Sequence, residues 1–65
     1  MHAQPHAMAM IEAIKSGATD VEAPTRHDYD ICTEWICNNG GRFAYHFETG
    51  EAFMIDGRCV EVFGS

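Results

Sequence analysis

Three glycine-bearing turns inside one aromatic and β-branched stretch constrain this chain more than any other feature. Between Tyr29 and Phe63, the segments Asn38-Asn39-Gly40-Gly41, Glu48-Thr49-Gly50 and Asp56-Gly57 leave four runs of strand length. The predicted strands are Tyr29 to Cys37, Arg42 to Phe47, Glu51 to Ile55 and Arg58 to Phe63. Each turn also sets a register. Asp56-Gly57 has the chemistry of a two-residue type I′ hairpin, which places Ile55 opposite Arg58 and Phe53 opposite Val60. Glu48-Thr49-Gly50, read as a three-residue loop with Gly50 in the left-handed region, places Phe47 opposite Glu51 and Tyr45 opposite Phe53. Asn38-Asn39-Gly40, read in the same way, places Trp35 opposite Phe43 and Thr33 opposite Tyr45.

This register gathers Ile31, Trp35, Phe43, Tyr45, Phe47, Phe53, Ile55, Val60 and Val62 on one face of an antiparallel meander. That face needs a cover, and the N-terminal segment supplies one. Around residues 5–16, Ala7, Met10, Ile11, Ile14 and Ala18 recur on one side of a helix with Glu12 and Ser16 opposite. Pro5 suits its first turn and Gly17 the residue past its end. A helix of this length does not persist alone, so its apolar stripe must pack on the sheet. Residues 17–28 follow neither period, and Pro24 disfavours helix at Ala23, which marks a connector. The sequence therefore predicts one α+β domain over residues 1–65, an N-terminal amphipathic helix packed on a four-stranded antiparallel β-meander.

Composition narrows the function. Ten Asp and Glu against four Lys and Arg give a formal charge of -6, which opposes direct binding to nucleic acid or to an anionic membrane. An apolar content of 46% with 22% charged residues is that of a folded chain rather than a disordered one. No apolar run is long enough to span a bilayer and no signal-peptide pattern opens the chain, so a cytoplasmic protein is expected. Cys32, Cys37 and Cys59 are odd in number and do not form a disulfide framework, in keeping with a reducing compartment.

None of the candidate chemistry converges. Cys32 and Cys37 lack short zinc-ligand spacing and fall on opposite faces of the predicted strand, while Cys32 and Cys59 lie on opposite edges of the meander, so no metal is expected. His27, Asp28 and Asp30 are the densest polar cluster. They would suit a hard cation or an acid and base pair, but no further convergent group accompanies them, and a solvated strand start is the preferred reading. His2 and His6 are read as surface residues of a frayed terminus. No phosphate loop, nucleophile elbow or paired serine is present, so neither an enzyme nor a cofactor is expected.

The outer face of the predicted sheet is left to function. It carries Asp30, Glu34, Glu48, Asp56 and Glu61 against a single guanidinium, Arg42, which the register sets beside Asp56. Carboxylates fixed on a sheet can satisfy the Arg and Lys donors that otherwise hold phosphates, so these five are the candidate partner-binding residues. Asp20, Glu22 and Asp28 of the connector are secondary candidates, with Met54 and Phe63 as apolar companions. In size, acidity and outline the chain resembles the anti-CRISPR proteins of phages and mobile elements. That resemblance implies an inhibitor bound to a Cas effector, its carboxylates standing in for DNA phosphates, with no functional residue carried over. The expected partner is thus the basic surface of a protein, not nucleic acid or membrane. The alternative is a structural or assembly module that forms a homodimer through its sheet, using Cys32, Ile36, Ala44, Met54 and Phe63. The oligomeric expectation is a monomer or weak homodimer.

Overall fold

The computed structural model describes residues 6–64, which form two helices and a four-stranded mixed sheet. The elements run α1 (His6–Lys15), β1 (Asp20–Glu22), α2 (Arg26–Asn38), β2 (Arg42–Phe47), β3 (Gly50–Ile55) and β4 (Arg58–Phe63). The predicted roles of His2 and Pro5 lie outside the described residues. The fold class is α+β, but the sheet is not a pure meander. Its order is β1-β4-β3-β2, and β1 pairs parallel to β4.

Helix α1 forms where its apolar period places it and buries Ala7, Met10, Ile11 and Ile14. Its C-terminus is held from the sheet. Arg58, at the start of β4, donates to the carbonyl of Ile14 and, at 3.4 Å, to that of Ala18. A cation at this end also complements the helix dipole.

The run from Tyr29 to Cys37, predicted as the first strand, is helix. The cause lies upstream, in Thr25-Arg26-His27-Asp28. The Thr25 hydroxyl accepts from the Asp28 backbone N–H at 3.1 Å and donates to the Asp28 carboxylate at 2.8 Å, so the helix starts at a capped end. From there Tyr29, Cys32 and Ile36 fall on one buried stripe. The alternation of Ile31, Thr33 and Trp35 therefore does not describe a strand; Ile31 and Trp35 are half-buried at the margin of that stripe. Asn38 to Gly41 is a helix stop rather than a hairpin loop. Gly40 adopts φ 87°, and the Gly41 N–H returns to the Ile36 carbonyl at 2.8 Å, as in a Schellman closure. The predicted pairings of Trp35 with Phe43 and Thr33 with Tyr45 consequently do not exist.

The predicted connector contains the fourth strand. Val21 turns inward between exposed Asp20 and Glu22, and the parallel register sets Asp20 by Glu61, Val21 by Val62 and Glu22 by Phe63. The ladder continues at both ends, through the Glu61 N–H to Thr19 and the Ala23 N–H to Phe63.

The β3–β4 hairpin has the predicted register, with Ile55 opposite Arg58 and Phe53 opposite Val60. Asp56 and Gly57 both take positive φ, 53° and 76°, as a type I′ turn requires. The β2–β3 hairpin differs. Phe47 pairs with Gly50 and Tyr45 with Ala52, and a bulge at Ala44 then restores Phe43 to a position opposite Phe53. Arg42 stands opposite Met54, not beside Asp56. One face of the sheet, with Val21, Phe53, Ile55, Val60 and Val62, closes the core against Met10, Ile11, Ile14, Tyr29, Cys32 and Ile36 of the helices. No helix among the described residues is long and apolar enough to cross a membrane.

Candidate functional site

Both helices lie on one side of the sheet, so its other face carries no layer among the described residues. Strand alternation and the registers assign to that face Asp20 and Glu22 of β1, Cys59, Glu61 and Phe63 of β4, Ala52 and Met54 of β3, and Arg42, Tyr45 and Phe47 of β2. An aromatic row crosses it. The Tyr45 and Phe47 rings lie 6.2 Å apart between centroids, and Phe47 meets the Phe63 ring edge-on at 5.2 Å. Tyr45 is 48% exposed and Met54 43% exposed, while Ala52 beneath them is fully buried.

Acid borders this apolar row. Glu61 accepts from the Tyr45 hydroxyl at 3.4 Å, and Asp20 and Glu22 stand in register beside Glu61 and Phe63. Partial burial, followed by the neighbouring Cys59 and Glu61, holds the Tyr45 phenol above its ordinary value. The arrangement has an apolar centre, a donor hydroxyl and a carboxylate rim with Arg42 at one corner. A protein surface bearing cations around an apolar contact is its chemical complement.

The five predicted contact residues do not share this face. Only Glu61 is on it. Asp30 and Glu34 ride on α2, on the opposite side of the sheet; Glu48 lies in the β2–β3 turn and Asp56 in the β3–β4 turn. The predicted common acidic face depended on residues 29–37 being a strand, and it disperses once they are helix. Of the connector residues, Asp20 and Glu22 join Glu61, whereas Asp28 is withdrawn from any surface role. It is only 5% exposed, and its carboxylate accepts from Thr25 and, at 3.0 Å, from the Ala7 backbone N–H. It thus ties the N-termini of α1 and α2 together. The Thr25 hydrogen bond, opposed by burial and helped by the Ala7 N–H, lowers its pKa below the ordinary Asp value.

Tyr45 and Phe47 were assigned to the core by the turn-based register and belong to the uncovered face instead. Phe43 does face the helix side, as predicted, yet remains 54% exposed. Its ring packs edge-on against Phe53 at 6.1 Å. Beside it, Asp30, Thr33, Glu34 and Cys37 of α2 and Glu51 and Phe53 of β3 line an open groove of about 430 Å³. His46 pairs with Glu51 and so lies on this groove side. Glu51 accepts from the Tyr29 hydroxyl at 2.5 Å, and burial together with that bond pushes the Tyr29 phenol well above its ordinary value.

Among the described residues, no group of three or more His, Cys, Asp or Glu is placed to hold a metal ion. Cys32 and Ile36, named for a sheet-mediated dimer, are buried in the core and unavailable to one. In comparisons with known proteins, the chain matches no family model, no curated protein and no solved structure.

Proposed function

We propose that this chain is a small acidic binding protein, not an enzyme, that inhibits a nucleic-acid-binding bacterial defence protein by docking its uncovered sheet face on that protein's basic surface. One observation carries the reading: the Tyr45, Phe47 and Phe63 row lies uncovered across the sheet with Asp20, Glu22 and Glu61 beside it. Interfaces concentrate their energy in aromatic side chains at a desolvated centre, and carboxylates beside such a centre select Arg and Lys on the partner. Those are the residues that a nucleic-acid site presents. Within this class, an anti-CRISPR acting at the DNA site of a Cas effector agrees with the chain's resemblance in size, acidity and outline.

The test is displacement of labelled DNA from a panel of purified Cas effector–guide complexes, at low and high salt. Inhibition that weakens as salt rises is expected, along with loss of at least about tenfold in potency for Glu22→Lys combined with Glu61→Lys in a protein that keeps its circular dichroism spectrum. If no effector loses DNA, the Cas assignment falls. If the aromatic row is instead covered by a second copy, sedimentation will show a dimer that salt preserves, and the assembly-module alternative takes its place. Exposed Met54 beside that row is the observation that favours the alternative.

A further inference from the structure

The sheet has one long open edge. Strand β2 ends the order β1-β4-β3-β2, so the backbone groups on its outer side are unpaired within the described residues, and every one of its residues except Phe47 is exposed. Edges of this kind are usually guarded by charged side chains, Pro, an inward charge or a bulge. Here the sequence is Arg-Phe-Ala-Tyr-His-Phe, guarded at its start by Arg42 and the bulge at Ala44 and unguarded from Tyr45 to Phe47.

Next to this edge, on the helix side, lies the groove between α2 and β3. Its wall is one α2 stripe, Asp30, Thr33, Glu34 and Cys37, and its floor holds Glu51 and Phe53, with exposed Phe43 against Phe53. Of the three carboxylates, Asp30 is engaged by Arg26 at 3.0 Å at an exposed site, and Glu51 by the neutral Tyr29 hydroxyl. The groove therefore keeps a negative character beside the Phe53 and Phe43 rings.

We infer that β2 accepts an added strand from a partner, and that this strand is an extended segment alternating basic with apolar side chains. Alternation follows from strand geometry. Successive side chains of an added strand point to opposite faces, so every second one enters the acidic groove and the others fall beside Tyr45 and Phe47. A cation on the groove side meets Glu34, Asp30 and Glu51, and an apolar residue on the other side extends the aromatic row. A second copy of this chain is a poor occupant by comparison. Two bodies of charge -6 repel, and β2 itself offers the groove side only His46 and Phe43. The inference concerns the edge and groove of β2 and does not depend on the uncovered face being the inhibitory surface.

The probe is a fluorescein-labelled hexapeptide, Arg-Val repeated three times, followed by fluorescence anisotropy at low salt against the full chain. Its controls are the Glu-Val repeat and two Arg-Val peptides N-methylated at every valine or at every arginine. Binding of the Arg-Val peptide is expected, with no binding of the acidic repeat and at least about tenfold loss with one of the two methylated peptides, whose donors toward β2 are gone. Asp30→Lys combined with Glu34→Lys, both on the exposed side of α2, should weaken the Arg-Val peptide about tenfold while the circular dichroism spectrum holds. Three results overturn the inference: equal binding of the basic and acidic repeats, indifference to both methylations, or a concentration-dependent slowing of β2 amide exchange that shows a second copy on the edge.

Discussion

The two faces of the sheet are built from neighbouring residues of the same strands, and they differ in almost every property. On β3 and β4 the inward residues Phe53, Ile55, Val60 and Val62 are buried beneath the helices, while the outward residues Met54, Cys59, Glu61 and Phe63 reach the opposite surface. The covered face is apolar at its centre, with Glu51 and Arg58 at its two ends. The uncovered one mixes aromatic rings with carboxylates, a composition that a core excludes and an interface uses. This chain thus divides its aromatic content between folding and surface, and Tyr45, Phe47 and Phe63 do not belong to the core.

The largest test of that division uses adjacent residues. Phe53→Ala should cost about 3 to 5 kcal/mol, because a buried ring is removed and its neighbours close only partly around the space. Met54→Ala, one residue along and on the other face, should cost less than about 1 kcal/mol. Urea unfolding followed by circular dichroism measures both. Similar losses for the two would mean that the uncovered face is packed against something, and the contrast between faces would break.

How much of this was legible in the sequence depended on whether a signal was local. Asp56-Gly57 fixes its hairpin within four residues, and the β3–β4 register follows from it without further information. The α1 stripe is equally self-contained. Helix α2 is hidden in the sequence because Ile31, Thr33, Trp35 and Ile36 favour strands by type, whereas the deciding feature is the Thr25-to-Asp28 cap, which lies in the segment expected as a connector. Strand β1 was illegible for a different reason: its three residues have meaning only beside β4, some forty positions away in the chain. Gly50 misled in yet another way. It was read as a left-handed loop residue, but it is needed because a side chain there would strike the Val62 carbonyl of the neighbouring strand. The residues around it then pair one position differently, which sets Tyr45 and Phe47 on the outer face, and the Ala44 bulge returns Phe43 to the inner one. The expected common acidic face disperses with α2, since Asp30 and Glu34 lie off the sheet, and of the five carboxylates only Glu61 stands on its outer face.

Two carboxylates show the same contrast at a smaller scale. Asp28 sits under the covered side and joins two helix N-termini, whereas Glu61 accepts one long hydrogen bond on the open face. Asp28→Asn should lower the thermal midpoint clearly, and Glu61→Gln should change stability by no more than about 0.5 kcal/mol. The pH dependence has a definite sign. The folded Asp28 carboxyl titrates below its unfolded value, so its contribution is fully present above about pH 4 and is lost as pH falls through the folded value. The wild type and the Asn variant should therefore converge in acid. If their difference persists at the lowest pH at which both remain folded, the carboxylate charge is not what joins the helices.

The cysteines give the smallest effect and the most direct view of which surface is open. Cys32 is fully buried in α2, and burial pushes its thiol up to about 11, so little thiolate forms at pH 8 and reagent cannot reach it. Cys37 is exposed at the groove, and Cys59 is partly exposed on the uncovered face beside Tyr45. Reaction with an aromatic disulfide at pH 8 should consume Cys37 first, Cys59 next, and Cys32 only at the rate of unfolding. Single Cys→Ser variants assign each phase. A partner held on the uncovered face should slow Cys59 and leave Cys37 unchanged, whereas a strand added along β2 over the groove should slow Cys37. Rapid reaction of Cys32 in the native protein would show that α2 does not seal the covered face, and the distinction between the two faces would then have no structural basis.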